Sequence, residues 1–264
     1  IMAGYAGVVW VCRQLEPLEQ SSGDVGVFSR ISWQNLLVMV VMALVVCALG
    51  NSDRTFHFRM RMEECMVKGN FAEATQVGVK EAATDSSLTM LRVWALSENH
   101  MLGDRLFSYP LVGGSDAMLP NGASVKLMMA DERKLYAHLG VVFIQKMRPR
   151  VYLETLHKAH RATAAAHDWL LCAYLLDRDL NQFVRHLAKY YPINEQLPKH
   201  YKEALIIYKH TTSHPLISYY NNVKEADYDD FQDLGDKYGN KRERYTALRD
   251  KYGDTYWFYY HYKR

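Results

Sequence analysis

Among 264 residues with 11 histidines, the first side chains to test for chemistry are His157, His160 and His167 in one region and His210 and His214 in another. On a helix, His157 and His160 would share a face. Zinc requires at least three well-directed ligands, usually completed by cysteine or carboxylate. Neither an HExxH pair nor a Cys/His spacing accompanies these positions, so they read as surface or hydrogen-bonded histidines and no metal is assigned. The acidic run Glu225-Ala226-Asp227-Tyr228-Asp229-Asp230-Phe231-Gln232-Asp233-Leu234-Gly235-Asp236 has the oxygen ligands calcium favours, without the glycine and terminal glutamate spacing of a calcium loop. Tyr228, Phe231 and Leu234 recur through it at helical spacing, the pattern of an amphipathic helix with a solvated acidic face. Lys237 and Lys241-Arg242-Glu243-Arg244 continue that surface with opposite sign. Serine, histidine and aspartate are present without a GxSxG elbow, and neither a phosphate loop nor a dinucleotide fingerprint occurs. No catalytic residue and no cofactor are assigned.

Composition narrows the partners. Thirty-two basic and 29 acidic residues give a formal charge of +3, evenly spread, which argues against nucleic acid. Of the four cysteines, Cys12 and Cys47 fall in apolar stretches. Cys65 and Cys172 stand alone elsewhere, and with no CxxC they read as buried thiols rather than a disulfide framework or zinc site. The segment 103–124 offers the best binding residues. Tyr109-Pro110, Gly113-Gly114 and Pro120-Asn121-Gly122 interrupt helices there, and a loop of this length inside a compact domain is more often functional than not. Gly113 and Gly114 permit close backbone approach, Asp116 and Asn121 supply polar contacts, and Tyr109 lies beside them, so these five are the candidate partner-binding residues.

The elements that would position them begin with an apolar stretch at 31–49. As a helix it reaches about 28 Å, close to the ~30 Å hydrocarbon core of a bilayer. Its Leu and Val residues favour insertion, with Trp33 at the interface and Gln34 and Asn35 near the headgroups. The apolar stretch 1–12 is too short to span alone and reads as the second half of an earlier membrane helix, with further spans expected upstream of Ile1. The expected organisation is a membrane region over 1–50 (truncated helix 1–12, connection 13–30, membrane helix 31–50) and a soluble helical domain over 51–264.

Within that domain, Phe58, Met62, Cys65 and Met66 predict a helix ending at Gly69-Asn70. A second helix is expected from Phe71, with Ala74, Gly78 and Ala82 on its inner face. Asp85-Ser86 caps a third, whose apolar stripe is Leu88, Leu91 and Ala95. Helical periodicity resumes at 131–136, continues through 141–147, and restarts after Pro149. Tyr174 to Pro192 holds a helix end at Asp177, a new start at Asp179-Leu180 and a stop at Pro192, and another helix follows at 199–210. The aromatic ending Tyr256-Trp257-Phe258-Tyr259-Tyr260-His261-Tyr262 is expected to pack over the last helices.

Two resemblances add to this reading. Gly69-Asn70-Phe71-Ala72-Glu73-Ala74 resembles the turn and second-helix start of a tetratricopeptide repeat, although Arg61 and Met62 stand where the repeat has Leu and Gly. The spacing to the similar Phe183 segment does not fit a period of about 34 residues, so a degenerate repeat is expected. Thr84-Asp85-Ser86-Ser87-Leu88-Thr89-Met90-Leu91-Arg92, Leu119-Pro120-Asn121-Gly122, Leu171-Cys172-Ala173-Tyr174-Leu175-Leu176-Asp177, Tyr190-Tyr191-Pro192 and Gly253-Asp254-Thr255-Tyr256-Trp257 resemble a family of uncharacterised polytopic membrane proteins of Bacteroides-group gut bacteria. That resemblance implies membrane spans before a helical carboxy-terminal domain, and no chemistry.

The fold class expected is therefore all-α: a membrane helix followed by a degenerate, tetratricopeptide-like helical-repeat domain. The function expected is a membrane-tethered adaptor presenting a surface to a protein or peptide, with the bilayer as its other partner. The alternative is the carboxy-terminal part of a polytopic glycan transferase or polymerase with its reactive residues upstream. Arg54, Arg59, Arg61 and Lys68 after the span, against Arg13 and Arg30 before it, lean the soluble domain to the cytoplasmic face of a bacterial inner membrane.

Overall fold

The computed structural model describes residues 10, 30–50, 52–79, 81–142 and 147–262. Among these the chain is all-helical, with no strand, and it divides into two compact units between Asp53 and Arg54. The first unit contains α1 (Arg30–Leu49), apolar around its circumference. Trp33, Leu37, Met39, Leu44, Val46 and Leu49 on it are all more than half exposed. No single helix among the described residues is long and apolar enough to cross a membrane. The truncated helix expected at 1–12 and the connection at 13–30 lie, but for Trp10 and Arg30, outside the described residues.

The second unit opens with α2 (Arg54–Val67), which buries Met62, Glu63, Cys65 and Met66. Glu63 is anchored by backbone: its Oε2 accepts from the N–H groups of Met128, Met129 and Ala130 at 2.8, 2.6 and 3.1 Å. The helix expected from Phe71 lasts a single turn, α3 (Phe71–Ala74), capped by the Asn70 side chain. The Thr75 carbonyl at its end is taken by the Tyr109 hydroxyl at 2.7 Å, and the chain turns at Gly78, at φ +66.

Asp85 caps α4 (Ser86–Glu98) by accepting from Leu88 N–H at 2.7 Å. Every residue of α4 from Ser87 to Ser97 is buried, so Leu88, Leu91 and Ala95 belong to a helix enclosed on all sides rather than to a single apolar stripe. Its Arg92 is fully buried without a carboxylate. The guanidinium donates to Thr84 Oγ1 at 2.8 Å and to the Pro110 carbonyl at 2.5 Å, and lies 5.5 Å over the Tyr109 ring. Burial lowers its pKa to about 10, and oriented carbonyls take the place of water around it.

The segment 103–124 is a wound part of the core. It holds α5 (Leu102–Arg105), 3-10 turns at Leu106–Ser108 and Gly114–Ala117, and buried Leu106, Phe107, Tyr109, Leu111, Met118 and Leu119. Then α6 (Glu132–Leu139) starts on the Asp131 cap and stops at Gly140. The continuation expected through 141–147 is absent at 141, 142 and 147, and 143–146 lie outside the described residues. The stop has two causes: Gly140 takes φ +144, and Thr163 Oγ1 captures the His138 and Leu139 carbonyls at 2.7 and 3.2 Å.

Seven helices follow: α7 (Pro149–Lys158), α8 (Ala164–Leu176), α9 (Leu180–Tyr190), α10 (Lys199–Thr211), α11 (Asn222–Asp236), α12 (Lys241–Tyr252) and α13 (Tyr256–Tyr262). Each packs against its successor, and α8 also packs against α4, α5 and α6. As α8 is buried continuously from Trp169 to Leu176, it and α4 form the centre of the unit. The acidic run 225–236 lies in α11, with Tyr228 and Phe231 inward.

The aromatic ending is packed as expected, with Tyr256, Trp257, Phe258 and Tyr259 buried. A polar knot fixes it. Fully buried Glu203 accepts from His200 Nδ1–H at 2.9 Å and from Tyr256 N–H at 2.8 Å, both on Oε2. His200 Nε2 in turn accepts from Phe107 N–H at 3.3 Å.

Candidate functional site

Two helix faces build the principal cleft. On α7, Arg150, Glu154, His157 and Lys158 stand at i, i+4, i+7 and i+8. On α9, Gln182, His186, Lys189 and Tyr190 repeat that spacing, and both sets fall on single helical faces. His167, Leu170 and Tyr174 of α8 form the base, and His160 and Ala162 close one end, enclosing a half-open cleft of about 790 Å³. Pro149 at the first turn starts α7. Asp179 starts α9 by accepting from Gln182 N–H at 3.1 Å.

The floor is an ion-pair network. Arg150 reaches Asp179 at 2.7 Å, Glu154 at 3.1 Å and Asp177 at 3.5 Å, and lies 4.8 Å over the Tyr174 ring. Its charge is thereby compensated, and its pKa is raised by Asp179 and Glu154 against the cost of burial. Lys158 and Lys189 on the rims are exposed and without an ion pair among the described residues, so they set the sign of the opening.

The histidines are held in one tautomer. His157 Nδ1 lies 2.7 Å from the Leu153 carbonyl and His186 Nδ1 lies 2.9 Å from the Gln182 carbonyl. A carbonyl only accepts, so each Nδ1 carries a proton, and on the neutral His157 ring Nε2 is left with a lone pair. His157 Nε2 is sealed from solvent with no hydrogen-bond partner. Beside it His167 stacks on Tyr190 at 4.1 Å and 12°, with His157 5.1 and 5.5 Å from those rings. Burial pushes the pKa of His157 and His167 below the ordinary value of 6.5, so both are neutral near pH 7. Among the described residues no group of three potential ligands is disposed to hold a metal ion.

The residues chosen from sequence are placed differently. Tyr109 is buried and its hydroxyl donates to the Thr75 carbonyl at 2.7 Å. At Gly113, with φ +94, a Cβ would meet Ala117 Cβ at 2.7 Å and Ser86 Oγ at 2.9 Å; at Gly114, with φ +59, it would lie 3.4 Å from Asp177. Both glycines therefore serve the turn, in positions that side chains rarely occupy. Asp116 and Asn121 do line a second cleft, of about 810 Å³, with Tyr136, Arg148 and Tyr152. Asn121 is occupied by its own turn, accepting from Ala123 and Val125 N–H and donating to Ser124 Oγ. Trp33 lies on α1, 58% exposed.

One arrangement that sequence inspection missed has the spacing of a hydrolytic triad. Ser97 Oγ is 2.8 Å from His138 Nε2, and His138 Nδ1 is 3.3 Å from Glu98 Oε1, which also accepts from Trp94 Nε1 at 3.1 Å. Ser97, however, is 4% exposed and sits in the last turn of α4, where carbonyls converge. The following N–H groups of Asn99, His100 and Met101 are spent on Ala95, Ser97 and Leu96. An oxyanion there would meet acceptors rather than donors. The cluster ties α6 to α4.

Fold and cleft together define the class: an all-α domain bearing a histidine-lined groove with lysines at its rims. Residues 141–263 match the model of a family of unknown function, DUF6057. That stretch contains α7 to α13, hence the cleft, and the strings at 171–177, 190–192 and 253–257; those at 84–92 and 119–122 precede it. No curated protein and no solved structure matches the chain.

Proposed function

We propose that the protein is a membrane-tethered helical adaptor, and that the cleft between α7, α8 and α9 receives an acidic stretch of a protein partner. One observation carries this reading: Lys158 and Lys189 stand uncompensated at the rims of an open cleft of about 790 Å³, while its internal cation, Arg150, is already neutralised. Rim cations of this kind steer and orient an anionic partner. Successive packing from α7 to α13 supports a degenerate, tetratricopeptide-like array, in which neighbouring hairpins present a continuous surface. The exposed apolar circumference of α1 supports the tether, with Trp33 at the headgroups. The reading takes the bacterial inner membrane as the site of anchorage and its cytoplasmic face as the side on which the partner is met.

The test uses the full chain in neutral detergent and a fluorescein-labelled peptide of alternating aspartate and glutamate, followed by anisotropy. Saturable binding is expected. Lys158→Glu with Lys189→Glu should weaken it at least about tenfold, while Lys241→Glu with Arg242→Glu on α12 should leave it unchanged. Equal loss from both pairs, or no saturable binding, would overturn the reading.

A further inference from the structure

Two of the four cleft histidines have their Nδ1 proton committed. His157 and His186 both donate Nδ1–H to a carbonyl one turn back on their own helix, so neither ring has a proton to offer the cleft through Nε2 while it is neutral. An anion entering the cleft can be hydrogen-bonded by these rings only if Nε2 gains one. His157 Nε2 is, in addition, a sealed polar atom without a partner, an arrangement that costs free energy and that a donated hydrogen bond would relieve.

We propose that ligand binding at this cleft is coupled to proton uptake by His157, so that an acidic partner is held tightly at acidic pH and released as pH rises; this rests on the acidic-ligand reading above.

The charges around this ring support the coupling. His157 faces Lys158 and Glu154 of its own helix, His167 and Tyr174 of α8, His186, Lys189 and Tyr190 of α9, and His160 beyond α7. Glu154 is engaged by Arg150 at 3.1 Å and by the Tyr174 hydroxyl at 3.3 Å. The empty cleft therefore offers an imidazolium mostly like-charged or neutral neighbours. Burial, then the neighbouring His167, His186 and Lys189, hold His157 below its ordinary value against the Leu153 hydrogen bond. A carboxylate-rich ligand brings the missing counter-charge and favours the protonated ring. By linkage, a complex that binds more protons than the free protein gains affinity as pH falls through the bound-state pKa, and levels off below the free-state pKa. The slope reaches roughly tenfold per pH unit for each proton taken up. For the sealed Nε2 to reach the ligand, a ring beside it, His167 at 5.1 Å or Tyr190 at 5.5 Å, must turn aside, a rotamer change of the kind common at interfaces.

The experiment titrates the same aspartate–glutamate peptide onto the full chain in neutral detergent between pH 5.5 and 7.5. Calorimetry in buffers of different ionisation enthalpy counts protons. Expected are an affinity about tenfold or more higher at pH 5.5 than at 7.5 and net proton uptake at pH 6.5. Both should be reduced in His157→Gln, and an unchanged thermal unfolding curve for that variant guards against a folding defect. Binding of equal strength across the range, or binding without proton uptake, overturns the coupling and leaves the acidic-ligand reading standing. No binding at any pH removes both. A pH dependence that survives His157→Gln assigns it to other groups and overturns the role of this histidine.

Discussion

Replacing Glu203 by alanine should be among the most damaging single changes in the second unit. Its carboxylate is fully buried, and Oε2 alone accepts both the His200 Nδ1–H bond at 2.9 Å and the Tyr256 N–H bond at 2.8 Å. Alanine leaves both donors buried without an acceptor. His200 cannot recover by changing tautomer, because its Nε2 must stay an acceptor for Phe107 N–H. Two buried donors without an acceptor cost about 1 to 3 kcal/mol each, about 2 to 6 kcal/mol together, or roughly 4 to 24 °C in Tm for a domain of this size. Glutamine is the informative control. Its carbonyl oxygen can replace Oε2 and keep both bonds, while its NH2 replaces Oε1, which has no hydrogen-bond partner. Lys199, 4.0 Å away, retains Asp254 at 2.8 Å. The glutamine variant should therefore lose only about 1 to 2 kcal/mol, the cost of one unsatisfied buried donor. Thermal and urea unfolding followed by circular dichroism measure both. An alanine cost below about 1 kcal/mol, or a glutamine cost equal to the alanine cost, would refute the account of the knot.

Gly140→Ala should destabilise by about 2 to 4 kcal/mol, since its Cβ would stand 2.3 Å from the Arg161 carbonyl oxygen at φ +144. Gly69→Ala, at φ +76 with nothing within 4 Å, should lose only about 1 kcal/mol, and equal losses in urea melts would refute the steric argument. The Asp168 carboxyl is raised above its ordinary 3.8 by burial, against the opposing hydroxyls of Tyr191 and Tyr201. The folded state thus holds that proton more firmly than the unfolded chain, and this contribution is present below the unfolded value and lost as pH rises through the folded one. Both hydroxyls donate to Oδ1, so Asp168→Asn retains an acceptor, and its stability relative to the native protein should rise from pH 3.5 to pH 7. A difference in Tm that stays flat across that range would show that the buried carboxylate carries no such cost.

What the sequence made legible were the local signals whose cause is local. Asp85 and Asp179 cap helices because their carboxylates reach an N–H two or three residues on, and Pro192 follows the end of α9 because proline cannot continue one. Signals whose cause lies elsewhere in the fold were misread. The helix expected from Phe71 ends after one turn, where Tyr109, distant in sequence, takes the Thr75 carbonyl, and α6 is stopped by Thr163. Glycine and proline density at 103–124 correctly marked broken helices, but the apolar residues between those breaks, Leu106, Phe107 and Leu111, turn the segment inward. At the cleft, His157, His160 and His167 stood out as a group, whereas His186 and Lys189 did not. The available clue was the repeated spacing of Gln182, His186, Lys189 and Tyr190 opposite the buried Phe183 and Leu187, a polar helical face whose partner is another such face on α7.

The contact of α8 with α4, α5 and α6 separates the region matched by the family from the body that must fold. A fragment beginning at residue 141 would keep the whole cleft and yet strip one side of Trp169 to Leu176 of its neighbours, leaving a continuous oily surface in water. During synthesis the debt runs the other way. At about 5 to 20 residues per second, α4 leaves the ribosome roughly 3 to 13 s before α8 begins to appear. For that interval α4 can rest only on α2, α3 and α5, and its side towards α8 stays uncovered. The nascent chain is consequently most vulnerable to chaperone capture, or to self-association on crowded polysomes, in the stretch between Glu98 and Ala164, before the α8 and α9 sides of the groove exist.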